Sequence, residues 1–175
     1  MESCNNDEYL GGLFDCYVIT KQRDMAFIVS FLDRFIPSRK ETADEYEFPQ
    51  YSSSPQFLFS TATQLMTFME KMPFEPHSIY WANEQGCDLL THCMCFYTDD
   101  GFLILGGSCR RKLLCRETME IDMTYTENFL QELKDFAKSE HGFITLEEPP
   151  PCNIIEFLKS CQAGTAWLPG PKNRG

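Results

Sequence analysis

Apolar residues recur at helical spacing in four stretches of the chain. In the first, from residue 25 to 36, they fall on one face of a 3.6-residue period, and Pro37 ends the run. The other three each begin at a capping pair, in which Thr or Asn precedes Gln or Glu by three positions. Pro73 closes the second run, and Gly142 is expected to stop the third in a left-handed conformation. The pattern predicts helices over 25–36, 61–72, 124 to the stop at Gly142, and 153–158.

Five other stretches are rich in β-branched and aromatic residues and are bounded by turn residues, as strands are: 15–20, 78–82, 91–97, 102–106 and 143–147. The order of elements predicts an α+β fold, with a mostly antiparallel sheet of about five strands and about four helices packed on it. A chain of 175 residues suits a single domain over 1–175. Within it we expect a long irregular loop at 37–60, with one short strand at Phe57–Phe59, and a flexible C-terminal tail at 168–175.

Residues 93–107 carry the strongest local signal, and their sequence is CMCFYTDDGFLILGG. Asp100 and Gly101 between two apolar runs predict a hairpin with a two-residue type I′ turn. That loop would place Tyr97 opposite Ile104 and leave both faces of the hairpin apolar. We therefore predict a central hairpin buried on both sides. The pair Asp99–Asp100 then shapes the turn, because the other oxygen ligands of a calcium loop are missing.

The composition favours a folded protein with an acidic surface. Hydrophobic residues make up 43% of the chain and aromatic residues 14%, which is ample for a core. The net charge of -11 argues against nucleic acid or an anionic membrane as partner, since both attract Lys and Arg. No apolar run reaches the roughly 18 residues of a membrane span. The charge instead suits solubility, or a basic partner protein.

Cysteine usage indicates the compartment. The nine cysteines are odd in number and unevenly spaced, and the first residues do not resemble a secretory signal. These features predict free, mostly buried thiols in a reducing cytoplasm.

Two motifs raise the question of catalysis or ligand binding. His92, Cys93 and Cys95 lie close together, but strand alternation separates the histidine from the cysteines, and no C-x-x-C or H-E-x-x-H motif is present. We therefore predict no metal and no cofactor; a Cys–His nucleophile pair stays open as an alternative. The glycines of LGGSCRRK (105–112) could cradle an anion, although a close backbone contact explains them better.

The best candidate for contact with a partner is an acidic stretch within the 37–60 loop. It combines carboxylates with aromatic rings on a segment expected to be exposed, and its predicted partner-binding residues are Asp44, Glu45, Tyr46, Glu47 and Tyr51. Aromatic anchors surrounded by charge are typical of protein interfaces, and acidic charge speeds encounter with a basic partner. The alternative is a solvated segment whose aromatic rings pack back on the core.

Four segments between about residues 78 and 160 form a recognisable set: SIYWAN, CFYTDDGFLILGGS, HGFITLEEPPP and EFLKS. Together they resemble the small cytosolic immunity proteins of bacterial polymorphic-toxin systems. The resemblance implies a protein that occludes or distorts a toxin and has no catalytic residues. The long Ser/Pro-rich loop and the many cysteines depart from it.

These observations lead to one functional expectation. We expect an acidic cytoplasmic binding protein, not an enzyme, that neutralises a basic toxin domain. The alternatives are a small enzyme with a pocket lined by Cys and His, with or without a metal ion, and an adaptor domain without catalysis. The sequence selects no oligomeric state.

Overall fold

The computed structural model describes residues 9–86 and 89–163. The helices of this part are α1 (Met25–Phe35), α2 (Ala62–Met69), α3 (Thr124–Ala137) and α4 (Ile154–Ala163). Its strands are β1 (Tyr9–Thr20), β2 (Arg39–Glu41), β3 (Tyr46–Phe48), β4 (Phe57–Phe59), β5 (His77–Asn83), β6 (Leu90–Tyr97), β7 (Leu103–Cys115), β8 (Glu120–Asp122) and β9 (Gly142–Leu146). No helix in the described ranges is long and apolar enough to cross a membrane.

The strands form one large antiparallel sheet and one small one. The large sheet has seven strands in the order β2-β5-β6-β7-β1-β9, with β8 paired to the far end of β7, while β3 and β4 pair with each other. The predicted single α+β domain with four helices is therefore confirmed. The large sheet has more strands than the predicted five because it also contains β2 and β8, which were not predicted. Each has only three residues, too few to show an alternating pattern.

The large sheet buries side chains on both of its faces. Its first face, with Val18, Cys95 and Leu105, joins the main core under α1, α2 and α3. Its second face, with Tyr17 and Ile104, packs against Phe157 of α4. The β6–β7 hairpin lies at the centre of the sheet, so the prediction that it is buried on both sides is confirmed.

The turn of this hairpin differs from the prediction. Tyr97 pairs with Leu103, not with Ile104, and the Thr98 N–H donates to the Phe102 carbonyl oxygen at 3.1 Å. Gly101 has a left-handed φ of 91°, whereas a type I′ turn needs positive φ at both central residues. The loop is one residue longer than predicted, so each side chain of one strand lies one position away from its expected partner.

Asp100 joins the turn to α4. One of its carboxylate oxygens accepts the Ile154 N–H at 2.8 Å, and the other accepts the Thr98 hydroxyl at 2.7 Å. Next to it, the Asp99 N–H donates to the Cys152 carbonyl oxygen at 3.0 Å, while the Asp99 side chain is exposed. The acidic pair therefore attaches the last helix to the central hairpin.

We expect Asp100→Ala to lower the free energy of unfolding by about 1–2 kcal/mol, because it leaves a first-turn amide of α4 without its carboxylate acceptor. Urea denaturation followed by circular dichroism measures this change. Asp99→Ala is the matched control, since it removes an exposed carboxylate and keeps the backbone bond. Equal losses in the two variants would contradict the role of Asp100.

Three further predictions about local structure were wrong. Residues 37–60 are not one irregular loop, because they contain β2, β3 and the correctly predicted β4. Helix α3 ends at Ala137, where Lys138 takes a left-handed φ of 51°, and Gly142 instead begins β9. The capping bonds at Thr61 and Asn153 are confirmed, at 3.3 Å and 2.9 Å. The predicted cap at Thr124 was wrong, because Thr124 is already inside α3 and the N-cap residue Met123 makes no side-chain capping bond. The predicted tail at 168–175 lies outside the described residues.

Candidate protein-binding surface

Helix α4 covers only one end of the second face. Its Phe157 ring lies 4.9 Å from that of Phe143 on the edge strand β9. On β5 and β6, at the other end of this face, Tyr80 and Phe96 stay partly exposed, with their rings edge to face at 5.6 Å. Because side chains alternate along a strand, the neighbours of these two rings point into the main core and fix their direction. The result is an aromatic floor that the helix leaves open.

A chain segment lies along one side of this floor and is held there by hydrogen bonds to β5. We call residues 42–51 the acidic segment. The Thr42 N–H donates to the Tyr80 carbonyl oxygen at 3.1 Å, and the Gln50 side-chain oxygen accepts the Ser78 N–H at 2.8 Å. The buried His77 ring places Nε2 at 2.9 Å from the Glu47 carbonyl oxygen. These contacts run from end to end of the segment, so its backbone has a defined position relative to the sheet.

The opposite side is formed by the connection from β9 to α4. The Tyr17 hydroxyl donates to the Glu148 carbonyl oxygen at 3.0 Å, and the chain then crosses to the turn of the central hairpin through Pro149–Pro151. We call the space between this connection and the acidic segment, together with the adjoining hollow between that segment and β5, the groove. Its floor contains Ser78, Tyr80 and Phe96.

The five predicted contact residues do not share one environment. Asp44 and Glu45 are exposed, and Tyr51 is 83% exposed beside the groove. Glu47 is half-buried, and its carboxylate accepts the Tyr51 N–H at 2.8 Å. Tyr46 is buried in the main core, and its hydroxyl donates to Glu41 at 3.0 Å. The expectation of an exposed Tyr46 was therefore wrong, because strand β3 turns Tyr46 and Phe48 inward and Glu47 outward.

The groove contains two cavities that meet at Tyr51. The first, of about 400 Å³, is lined by aromatic rings and prolines, including Phe96 and Pro149–Pro151, and we call it the apolar cavity. The second, of about 320 Å³, is lined by Glu45 and Glu47, and we call it the acidic cavity. Neither has a Lys or Arg among its described lining residues. The surface thus combines apolar area with negative charge.

The Tyr80 hydroxyl of the groove is protonated at neutral pH. Burial raises the pKa of Tyr80, and the nearby Tyr51 raises it further. The Tyr80 phenol can therefore donate a hydrogen bond to a partner.

A buried carboxyl group lies deeper in the second face. Asp15 is 8% exposed and accepts the Ser108 hydroxyl at 2.6 Å. Burial raises its pKa above the usual value, although the bonds from Ser108 and Tyr17 oppose this effect. Because the folded protein holds the proton of Asp15 more tightly than the unfolded chain does, the ionised form costs stability at neutral pH.

We expect Asp15→Asn to raise the free energy of unfolding at pH 7 by an amount on the order of 1 kcal/mol, because the amide keeps an acceptor for Ser108 and carries no buried charge. The advantage over the wild type should shrink as the pH falls and Asp15 takes up its proton. Denaturation curves at several pH values measure it, with exposed Asp99→Asn as the control. A gain that stays constant with pH would show that the charge is not the cause.

The described cysteines lie in different environments, and Cys152 lines the apolar cavity together with His77. Cys16, Cys93, Cys95 and Cys109 are buried free thiols in the main core. Burial raises the pKa of the Cys93 and Cys95 thiols, which opposes formation of the nucleophilic thiolate. Alternation along β6 places His92 on the other face of the sheet. Within residues 9–86 and 89–163, no three His, Cys, Asp or Glu side chains are grouped closely enough to hold a metal ion.

The glycines of the LGGSCRRK stretch are explained by packing. Gly106 and Gly107 lie within β7, where Tyr17 and Phe129 contact them so closely that a Cβ atom would overlap the rings. The close backbone contact favoured by the sequence is confirmed, and the two glycines are in the interior of the sheet.

Sequence reasoning did not find most of the groove. Tyr80 and Phe96 were assigned only to strands, and Pro149–Pro151 were noted only as the end of the HGFITLEEPPP segment. Nothing local in the sequence says which end of a sheet face a later helix leaves open. The proline triplet next to two glutamates was the one available signal.

Comparisons with protein-family models, with curated proteins and with solved structures gave no significant match. Function must therefore be inferred from the surface itself.

Proposed function

We propose that this protein is an acidic binding protein that neutralises a basic toxin domain by direct contact, as an immunity protein does. It acts in the cytoplasm by covering a surface of the toxin, and it performs no catalysis of its own. The observation that carries the proposal is the groove, where an aromatic floor stands beside carboxylates and where the described lining residues include no Lys or Arg.

The composition of the groove fits a protein partner of opposite charge. Exposed tyrosines and proline-lined cavities supply apolar contact area at small entropic cost. Interface energy concentrates in such aromatic and pocket contacts. Asp44 and Glu45 are exposed beside it and would steer a cationic partner toward the groove. The net charge of -11 adds a long-range attraction for the same cationic partner.

The state of the cysteines supports a cytoplasmic location. All seven cysteines within the described ranges are free thiols, even though four of them lie together in the main core. Free thiols persist where the environment is reducing.

The direct test is neutralisation of a purified toxin. The proposal predicts that a neighbouring gene encodes a basic effector domain, and that domain is assayed for its own activity while the full-length chain is titrated into it. We expect activity to disappear at an equimolar ratio, because a bound immunity protein occupies one surface of each toxin. Full toxin activity in the presence of a large excess of the chain would contradict the proposal.

A further inference from the structure

The two cavities of the groove share one wall. Gln50, Tyr51, His77, Ser78 and Tyr80 line both of them, and the rest of their linings differ. On one side are proline and phenylalanine side chains; on the other are two glutamates. A ligand that lies across Tyr51 would therefore meet an apolar environment and an acidic environment within a short distance.

This wall is fixed before any ligand arrives. Glu47 accepts the Tyr51 N–H at 2.8 Å, and the Gln50 amide nitrogen donates to the Ser78 hydroxyl at 3.0 Å. The remaining connection is the buried His77 ring against the Glu47 carbonyl oxygen. Since the Gln50 side chain and the Glu47 carbonyl group are bonded to the strand beneath them, the backbone of this wall requires little ordering on binding.

Each cavity favours a different side chain. The apolar cavity, at about 400 Å³, has room for a bulky aliphatic or aromatic group, and such groups anchor interfaces when they fill a pocket. The acidic cavity presents Glu45 and Glu47 beside Tyr51 and Tyr80. Carboxylates pair with ammonium and guanidinium groups, and aromatic rings attract the same cations.

We propose that the groove binds a segment of the partner protein that carries one bulky apolar residue and one Lys or Arg within a few positions of each other. The apolar side chain enters the apolar cavity, and the cation enters the acidic cavity. This inference rests on the proposed function and names the chemistry by which the partner is recognised.

Random peptides displayed on phage, selected on the full-length chain, test this recognition. We expect the enriched peptides to share a bulky apolar residue close to a Lys or Arg, and to lose binding to Tyr51→Ala. In a selected peptide, replacing the cation by Gln should weaken binding to the wild type by about tenfold and binding to Glu45→Gln much less. Glu117→Gln, a distant variant with the same change of charge, should bind like the wild type.

Three results would overturn the inference: no enriched peptides, a consensus without a cation, or equal losses on the wild type and on Glu45→Gln. Failure of the proposed function looks different. If the peptides behave as expected but the basic toxin domain neither binds the chain nor displaces them, the groove chemistry stands and the toxin role fails. If the toxin domain binds and no such consensus appears, the toxin role stands and this inference fails.

Discussion

Replacing Tyr51 by alanine is expected to weaken binding of a basic partner by about thirtyfold, which corresponds to about 2 kcal/mol. Tyr51 is 83% exposed and belongs to the wall that the apolar and acidic cavities share. Loss of its ring would remove contact area from both cavities. Tyrosine is enriched among the residues that dominate interface energies.

The stability of the free protein should barely change in this variant, because the Tyr51 ring is exposed and its N–H bond to Glu47 belongs to the backbone. Tyr51 has a left-handed φ of 60°, so Tyr51→Asn is the second variant: asparagine tolerates this conformation and also lacks the ring. Isothermal titration calorimetry of both variants gives the affinity, and thermal unfolding gives the stability. Wild-type affinity in both would move the binding surface away from the groove.

Replacing Gly107 by alanine is expected to lower the free energy of unfolding by about 3 kcal/mol, the largest effect on stability that we foresee. The added Cβ would lie 2.5 Å from Cζ of Phe129 and 2.9 Å from Cδ1 of Leu90. The Phe129 ring cannot move aside freely, because it is buried and packs edge to face on Phe35 at 5.4 Å. The strain must spread into the contact between α3 and the sheet.

Gly11→Ala is the matched control for this variant, since a Cβ atom at Gly11 meets nothing within 4 Å. Combining Gly107→Ala with Phe129→Leu should recover part of the loss, because the smaller side chain vacates the space that the methyl group needs. Urea denaturation measures all three proteins. Equal stability of the Gly107→Ala and Gly11→Ala variants would contradict this packing.

The sequence predicted the elements of the fold well where each carries a complete local pattern. Helix α1 has both its apolar period and its proline stop, and the cap at Thr61 has its bonding partner three residues later. The hairpin register failed because Asp-Gly specifies a turn but not its length, and here Thr98 adds its own bonds to Phe102. Strand β2 was missed because only its pairing with β5 defines it.

The candidate site was only partly predictable, because most of it also lacks a complete local pattern in the sequence. Composition pointed to the acidic segment, and Tyr51, Asp44 and Glu45 do lie exposed there. Tyr46 was assigned to the surface because its burial depends on the β3–β4 pairing, which no short pattern announces. The floor of the groove needs α4 to stop short of Tyr80, and that is a property of the assembled fold.

The central claim is that the acidic segment and the groove bind a basic toxin domain. The most direct measurement is the dissociation constant for the toxin domain at about 50 mM and about 300 mM salt, determined for the wild type and two double variants. Asp44→Lys/Glu45→Lys reverses charge beside the groove. Glu117→Lys/Glu120→Lys makes the same change of net charge at exposed positions around the β7–β8 turn. This turn lies roughly 30 Å from the groove along β7, counted at about 3.3 Å per residue.

We predict that the wild type binds the toxin domain more weakly as salt rises, because carboxylates contribute to the encounter and to the contact. The variant beside the groove should bind at least about tenfold more weakly at low salt and lose most of its salt dependence, while the distant variant stays within about threefold of the wild type. Equal weakening in the two variants would mean that only net charge matters. Unchanged binding in the Asp44→Lys/Glu45→Lys variant would contradict the account.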